Sequence, residues 1–385
     1  MYSLLLAVIY MAFISLGLPD SLLGSAWPVM QQDLGVSISY AGIITMIISA
    51  GTIVSSLSSD RAIRKFGTGL ITTISVALTL VALFGFSFSN TFFSLCLWSI
   101  PYGLGAGAVD AALNNYVALH YSSRHMSWLH AFWGVGVTIS PNIMSVCLAK
   151  NLGWTMGYRT VVFLQLALVI ILIFSLPLWK RQTQEEMTHA EALSLRSAFK
   201  IKGVAQVMLA FFAFCALEAT AGLWASSYMV EYRNVDVETA ARFAALFYLG
   251  ETAGRFLNGF IADKYGDRKM IRVGIIGIII GIVMVVLPIK TNSVGLIGLV
   301  VIGFGAAPVY PCIIHSTPIN FGKENSQALV GIQMASAYLG TTLMPPIFGL
   351  VAQHINIGFY PIYLAIFAIL MLCMTESLNR KVKIK

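Results

Sequence analysis

Charged residues are scarce in this chain of 385 residues, because Asp, Glu, Lys and Arg together make up 10% of it. A water-soluble domain carries about 25% of these residues. Hydrophobic residues make up 58%, and the mean hydropathy is +0.81. The apolar runs also lack the polar–apolar alternation of a transmembrane β-barrel. The composition therefore excludes a soluble enzyme and predicts an all-α membrane protein surrounded by lipid.

Recognisable catalytic chemistry is also missing. The sequence contains no P-loop, no His-Glu-x-x-His zinc motif and no nucleophile elbow. The longest polar stretch between apolar runs, residues 180–202, is too short for a nucleotide-binding domain. The five cysteines stand singly, without disulfide or metal-ligand spacing; they are Cys96, Cys147, Cys215, Cys312 and Cys373. We therefore expect neither an enzyme nor a primary pump, and neither a cofactor nor a metal.

Hydrophobic runs of about 20 residues are each long enough to cross a bilayer. Twelve are predicted, near residues 4–30, 39–59, 69–89, 92–119, 128–149, 159–179, 203–230, 241–262, 270–289, 293–315, 326–352 and 358–376. The first run is too long for a cleavable signal and lacks a basic region before it, so we interpret it as a span. The polar stretch 181–202 then links two six-helix bundles, 1–180 and 203–385.

The basic residues indicate orientation. With the amino terminus inside, 18 of the 24 Lys and Arg residues lie on the cytoplasmic side, five lie outside, and Arg255 lies within a span. Because cytoplasmic loops are enriched in Lys and Arg, we expect both termini in the cytoplasm. The same bias explains the net charge of +8 without nucleic-acid binding.

An internal repeat relates the two halves. Gly51 and Asp60 at the end of the second span align with Gly254 and Asp263 at the end of the eighth, and a basic turn follows each. The stretch 258–269, Asn-Gly-Phe-Ile-Ala-Asp-Lys-Tyr-Gly-Asp-Arg-Lys, resembles the cytoplasmic signature loop of the major facilitator superfamily. The resemblance implies twelve helices in two pseudo-symmetric six-helix bundles.

In that family the loop latches the cytoplasmic ends of the halves together. By resemblance, Asp60, Arg64, Asp263 and Arg268 are gating residues.

Four acidic residues lie away from the ends of predicted spans, at Asp20, Asp110, Glu218 and Glu251. A charged side chain near a helix centre costs about 2.5–3.5 kcal/mol on insertion scales, so such residues mark functional sites. Glu251 has Arg255 one helical turn away, and we interpret these two as an internal ion pair.

Asp20, Asp110 and Glu218 have no Lys or Arg within four residues on their own helices. Each needs a partner elsewhere or a bound proton, because burial without a cation favours the protonated acid. We therefore predict that these three residues couple transport to protons. Pro19 also predicts a kink that exposes backbone carbonyls beside the Asp20 carboxylate.

The fourth span combines hydrogen-bonding groups with glycines. Asp110 and Asn114 lie one turn apart and offer the acceptor and amide that suit a sugar hydroxyl, with Asn115 beside them. Residues 105–118 of this span, and Pro-Asp-Ser-Leu-Leu at 19–23, resemble the acidic motifs of the fucose-galactose-glucose:proton symporters. In that family the acids on the first and fourth helices carry the proton, and the acid on the fourth helix also contacts the sugar. The resemblance implies these roles for Asp20 and Asp110. Related proteins are sodium-driven glucose carriers, so Na⁺ is an alternative to H⁺ as the coupling ion.

Further substrate contacts are predicted on other spans. On the seventh span, Glu218 is followed by Trp224 and Tyr228, whose rings can stack on a pyranose. Asn142 and Gln333 are polar residues in apolar spans, and either a substrate contact or one interhelical hydrogen bond explains each. Residues 303–311 and the pair Pro345-Pro346 indicate helix breaks or hinges.

Together these observations predict a monomeric symporter that imports a hexose-like sugar with protons by alternating access. From the resemblance we expect the bacterial inner membrane as its location. The alternatives are a sodium-coupled sugar symporter, a proton-driven exporter of drugs or small amphipathic solutes, and a sugar-binding membrane sensor.

Overall fold

The computed structural model describes residues 2–37, 40–179, 194–235, 237–287 and 293–382. The described residues form helices and connecting turns, with no β-strand among them, which confirms the predicted all-α fold. The α-helices are α1 Tyr2–Asp20, α2 Leu22–Asp33, α3 Ala41–Phe66, α4 Thr68–Ser87, α5 Phe92–His120, α6 Ser123–Ala149, α7 Gly153–Ser175, α8 Leu195–Ala198, α9 Val204–Glu231, α10 Val237–Tyr265, α11 Asp267–Val286, α12 Ser293–Ala306, α13 Val309–His315, α14 Thr317–Phe321, α15 Lys323–Val351 and α16 Tyr360–Lys381.

Ten segments of the described chain are long and apolar enough to cross a membrane. One of them, Lys323–Lys381, contains both α15 and α16. Helix α10 has 29 residues, but it is too polar to be among the ten. It contains Glu251 and Arg255, which lower its hydropathy. The exact number of twelve spans stays a prediction.

The chain divides into two compact units. Unit 1 comprises Met1–Tyr116 and Leu129–Ala192, and unit 2 comprises Val117–Trp128 and Leu193–Lys385. Unit 2 thus takes in a segment that precedes the central linker in sequence. Residues 181–193 of that predicted linker lie outside the described residues, and the rest includes the short helix α8, which the Ser194 side chain caps.

Two predicted spans are interrupted close to proline. Helix α1 ends at Asp20, one residue after Pro19, and α2 begins after a turn at Ser21. Helix α12 ends at Ala306, and α13 begins after Pro308. These interruptions confirm the breaks predicted at Pro19 and in residues 303–311. At Pro345-Pro346, by contrast, α15 continues through both prolines.

Glycines let α5 pack closely against two neighbours in unit 1. A Cβ atom built at Gly103 or Gly107 would overlap the carbonyl oxygens of Ile48 or Thr52 on α3. A Cβ atom built at Gly105 would lie 2.5 Å from the Ser75 carbonyl oxygen on α4. Alternate glycines therefore allow close contact with two different neighbouring helices.

We expect Gly107→Ala to destabilise the protein, because its methyl group would force α5 away from the Thr52 carbonyl. Overpacking of this kind costs about 1–3 kcal/mol. Gly24→Ala is the matched control, since a Cβ atom at Gly24 has no neighbour within 4 Å. Thermal unfolding in detergent should show a lower midpoint for Gly107→Ala only. An equal midpoint for both variants would contradict the packing argument.

Candidate functional site

Asp20 lies at the end of α1, where the first span is interrupted. Its Oδ1 atom accepts a hydrogen bond from the Tyr102 hydroxyl at 3.1 Å, and Oδ2 accepts one from Trp133 Nε1 at 2.9 Å. The residue is exposed, and it forms no ion pair within the described chain. Both donors are neutral, so they orient the carboxylate without cancelling its charge.

Asp110 begins a buried string of polar side chains in unit 1. Asn114 Nδ2 donates to Asp110 Oδ1 at 2.7 Å, and the Asn114 Oδ1 atom lies 3.0 Å from His130 Nε2. Because an amide oxygen only accepts, the Nε2 atom carries the hydrogen. All three residues are at most 5% exposed. The amide of Asn114 therefore links the Asp110 carboxylate on α5 to the imidazole on α6.

Arg255 joins two carboxyl groups in unit 2. Its Nη2 atom donates to Glu251 Oε1 at 2.5 Å and to Glu218 Oε1 at 3.0 Å. The pair with Glu251 confirms the ion pair predicted from their spacing on α10. Glu218, which has no cation on α9, obtains one from the neighbouring helix instead of standing alone.

The two aromatic residues predicted on the seventh span have different surroundings. Trp224 is partly buried, its Nε1 atom donates to the Pro345 carbonyl at 3.0 Å, and its ring meets Phe348 edge-on. Tyr228 is 1% exposed and stacks with Tyr232 at a centroid distance of 5.4 Å. This burial favours packing for Tyr228, whereas Trp224 retains exposed surface. Substrate contact by either residue stays a prediction.

The predicted amide contacts also differ. Asn142 is exposed and lines an open groove of about 510 Å³ in unit 1, while its Nδ2 atom donates to the Thr138 carbonyl. Asn115 is 4% exposed, next to Asn114. Gln333 is fully buried, and its Oε1 atom accepts from Thr317 at 2.9 Å. The Gln333 Nε2 atom has no hydrogen-bond partner within the described chain.

The two aspartates of the repeated loop have different partners. In unit 1, Asp60 pairs with Arg64 one turn later, at 3.0 Å. In unit 2, Asp263 accepts from the Arg124 side chain at 2.5 Å, from the Arg124 backbone N–H at 3.1 Å and from the Ser122 hydroxyl at 3.0 Å. These three bonds hold the start of α6 to the end of α10.

Arg268 is hydrogen-bonded to the carboxy-terminal end of unit 2. Its Nη2 atom donates to the Val382 carbonyl at 2.7 Å, just past α16, and more weakly to the Asn320 side chain at 3.4 Å. The neighbouring Asp267 accepts from Ser123 at 2.5 Å and lies 2.6 Å from His315 Nδ1. The gating roles of Asp60, Arg64, Asp263 and Arg268 stay predictions.

Sequence reasoning did not identify several partners of these residues. Tyr102 and Trp133 are 82 and 113 positions from Asp20, so no local spacing reveals them. For Arg124, the sequence offers one signal. It lies in the connection between the fourth and fifth spans, on the same predicted cytoplasmic side as the repeated loop.

Comparison with known proteins agrees with this architecture. The family profile of the Major Facilitator Superfamily matches residues 9–317 and 206–378. The glucose/mannose transporter GlcP of Bacillus subtilis is 21% identical over 357 residues, covering 88% of this chain and 86% of the relative. The hexuronate transporter of Bacillus subtilis is 26% identical over 279 residues, covering 67% and 64% respectively. The chain therefore spans under two thirds of that relative's length.

A similar fold occurs in the crystal structure of the E. coli fucose:proton symporter FucP. The TM-score is 0.79 at 16% identity, with 98% of this chain and 99% of that chain covered. This likeness concerns the fold alone, whereas the family profile matches most of the sequence. The chain thus belongs to the major facilitator superfamily, a family of transporters and not of enzymes.

Proposed function

We propose that the protein imports a neutral, hexose-like sugar together with protons by alternating access. The observation that supports the proposal is the environment of the Asp20 carboxylate. The residue is exposed and its carboxylate is oriented by Tyr102 and Trp133, yet no ion pair within the described chain balances its charge. A carboxylate in this setting is suited to take up a proton and release it during the transport cycle.

Asp110 is the second proton carrier in this proposal. Its carboxylate accepts a hydrogen bond from Asn114 and is the kind of acceptor that a sugar hydroxyl needs. His130, at the other end of the string, contacts the Asn114 amide oxygen and so holds the amide that orients the Asp110 carboxylate. A charged acid opposes closure of a dry cavity, so protonation and sugar binding together permit occlusion.

The balance of charge favours a neutral substrate over an anionic one. Away from the ends of the predicted spans, the sequence has four acids and one basic residue, Arg255, which already binds Glu218 and Glu251. This arginine is therefore not available to pair with a substrate carboxylate. The relatives' names include both a glucose/mannose transporter and a hexuronate transporter. Because Arg255 is already paired with two glutamates, we favour a neutral sugar over a hexuronate as the substrate.

Each unit by itself offers predicted sugar contacts of mixed character. In unit 1, Asn115 and Asn142 offer amide groups. In unit 2, Trp224 offers an aromatic face, Glu218 offers an acceptor, and Gln333 offers an Nε2 group that has no hydrogen-bond partner within the described chain. Polar groups at a few places in an apolar site are typical of small-molecule binding.

Two alternatives predict different ion and substrate dependence. A sodium-coupled symporter would accumulate sugar under a sodium gradient at equal pH on both sides. A proton-driven exporter of amphipathic solutes would bind such compounds in preference to sugars. Imposing the pH and sodium gradients separately in proteoliposomes distinguishes these alternatives.

We predict that Asp110→Asn abolishes accumulation of sugar driven by a pH gradient, because the variant cannot carry the proton. Exchange of labelled for unlabelled sugar should persist, since it needs no net proton movement. Both activities are measured in proteoliposomes with a labelled hexose. Accumulation by the variant at the wild-type level would contradict the role of Asp110.

We predict that neutral hexoses compete for uptake more strongly than hexuronates do, because an added carboxylate meets uncompensated acids and no available cation. Inhibition of labelled hexose uptake by glucose, fucose, glucuronate and galacturonate measures this preference. Stronger inhibition by the two uronates would contradict the proposed substrate class.

For the proposed gate, we predict that Asp263→Asn slows uptake about threefold or more, because the bonds to Arg124 and Ser122 lose their ionised acceptor. Glu376→Gln is the matched control. It removes a carboxylate from an exposed ion pair with Arg272 in the same unit. Equal initial rates for the two variants would contradict a gating role for Asp263.

A further inference from the structure

The cluster of Glu218, Glu251 and Arg255 contains more acid than base. One guanidinium nitrogen, Arg255 Nη2, serves both carboxyl groups, at 2.5 Å and 3.0 Å. Glu251 and Arg255 are each 3% exposed, and the Glu218 side chain is 22% exposed. Neither glutamate has another basic partner within the described chain. If both were ionised, the cluster would keep one uncompensated negative charge inside unit 2.

The Oε1 atoms of both glutamates contact the same Nη2 atom, so the two carboxyl groups are close neighbours around a single cation. Two acids that share one site do not both ionise readily, because the like charges repel each other, so one of the groups carries a proton. The other ionisable groups that face the cluster are Tyr248 on α10 and Tyr310 on α13. Both are phenols, which stay neutral near pH 7 and add no cation.

We propose that Glu218 and Glu251 share one proton over Arg255, which makes this triad a second proton-binding site, in unit 2. Asp20 and Asp110 in unit 1 form the first. A proton from water binds a carboxyl oxygen of Glu218, the more exposed acid, and then moves to the neighbouring Glu251 carboxylate. Release reverses these steps and leaves one carboxylate unbalanced by Arg255. The part of the triad in coupled transport rests on the proposed function, whereas the shared proton does not.

Two substitutions distinguish a shared proton from two independent carboxylates. In Glu218→Gln or Glu251→Gln, the remaining glutamate is balanced one to one by Arg255 and should ionise. Each variant should therefore lose the protonated-carboxyl C=O band of the triad, although only one acid has been replaced. If the two acids were both ionised in the wild type, each variant would lose a carboxylate band and keep every protonated-carboxyl band.

Infrared difference spectroscopy of the full chain in lipid nanodiscs at pH 7 measures these bands, and exchange into D₂O identifies the protonated carboxyl by its shift. Glu376→Gln, in the exposed pair with Arg272, is the control and should lose a carboxylate band only. Loss of one protonated carboxyl in both triad variants is the expected result. An unchanged protonated-carboxyl region in both variants would overturn the proposal.

If one triad variant does not fold, the protonated-carboxyl band is measured in the other variant. The number of protons moved per sugar, obtained from the reversal potential in proteoliposomes, should fall by one in the variant that folds. Suppose that the variants lose the protonated-carboxyl band but the wild type moves no protons with sugar. That result would support the shared proton and reject the proposed function. Failure of the one proposal can therefore be distinguished from failure of the other.

Discussion

A charge in the interior of a bilayer has to be paired, protonated or exposed to water, and this constraint governs the interior of both units. Its cost, about 2.5–3.5 kcal/mol for a single side chain on insertion scales, is a large part of the stability of a folded domain. Different acidic residues satisfy this constraint in different ways. Glu251 is paired with arginine, whereas Asp20 is exposed and oriented by two neutral donors.

These different solutions suit different tasks. An acid that is held by neutral donors changes its protonation without breaking an ion pair, so a proton can enter and leave at little cost. The chain break after Pro19 places the Asp20 carboxylate at a helix end, where the local backbone is not locked into a continuous helix. A second break at Pro308 divides a span of unit 2 in the same manner. Breaks of this kind are typical of transporter sites.

The sequence predicts those features that depend on local spacing. Hydropathy predicted the helical spans, proline predicted the breaks near Asp20 and Pro308, and the four-residue separation predicted the pair of Glu251 with Arg255. The all-α fold and the family were likewise predictable, because long apolar runs and the repeated loop are properties of the sequence itself.

Contacts between different helices could not be predicted, because the helical period says which face a residue occupies but not which helix faces it. The bond from Trp133 to Asp20 and the ion pair of Glu218 with Arg255 are of this kind. Likewise, the continuity of α15 through Pro345 and Pro346 could not be predicted, because tolerance of proline inside a helix depends on neighbouring groups.

The central claim is that protons move with a neutral sugar. The most direct measurement is the pH outside lightly buffered proteoliposomes, without any imposed gradient, when a hexose is added. The account predicts that the outside medium becomes more alkaline as sugar enters and carries protons with it. Sugar entry without any change in pH, or with a matching uptake of sodium, would contradict it.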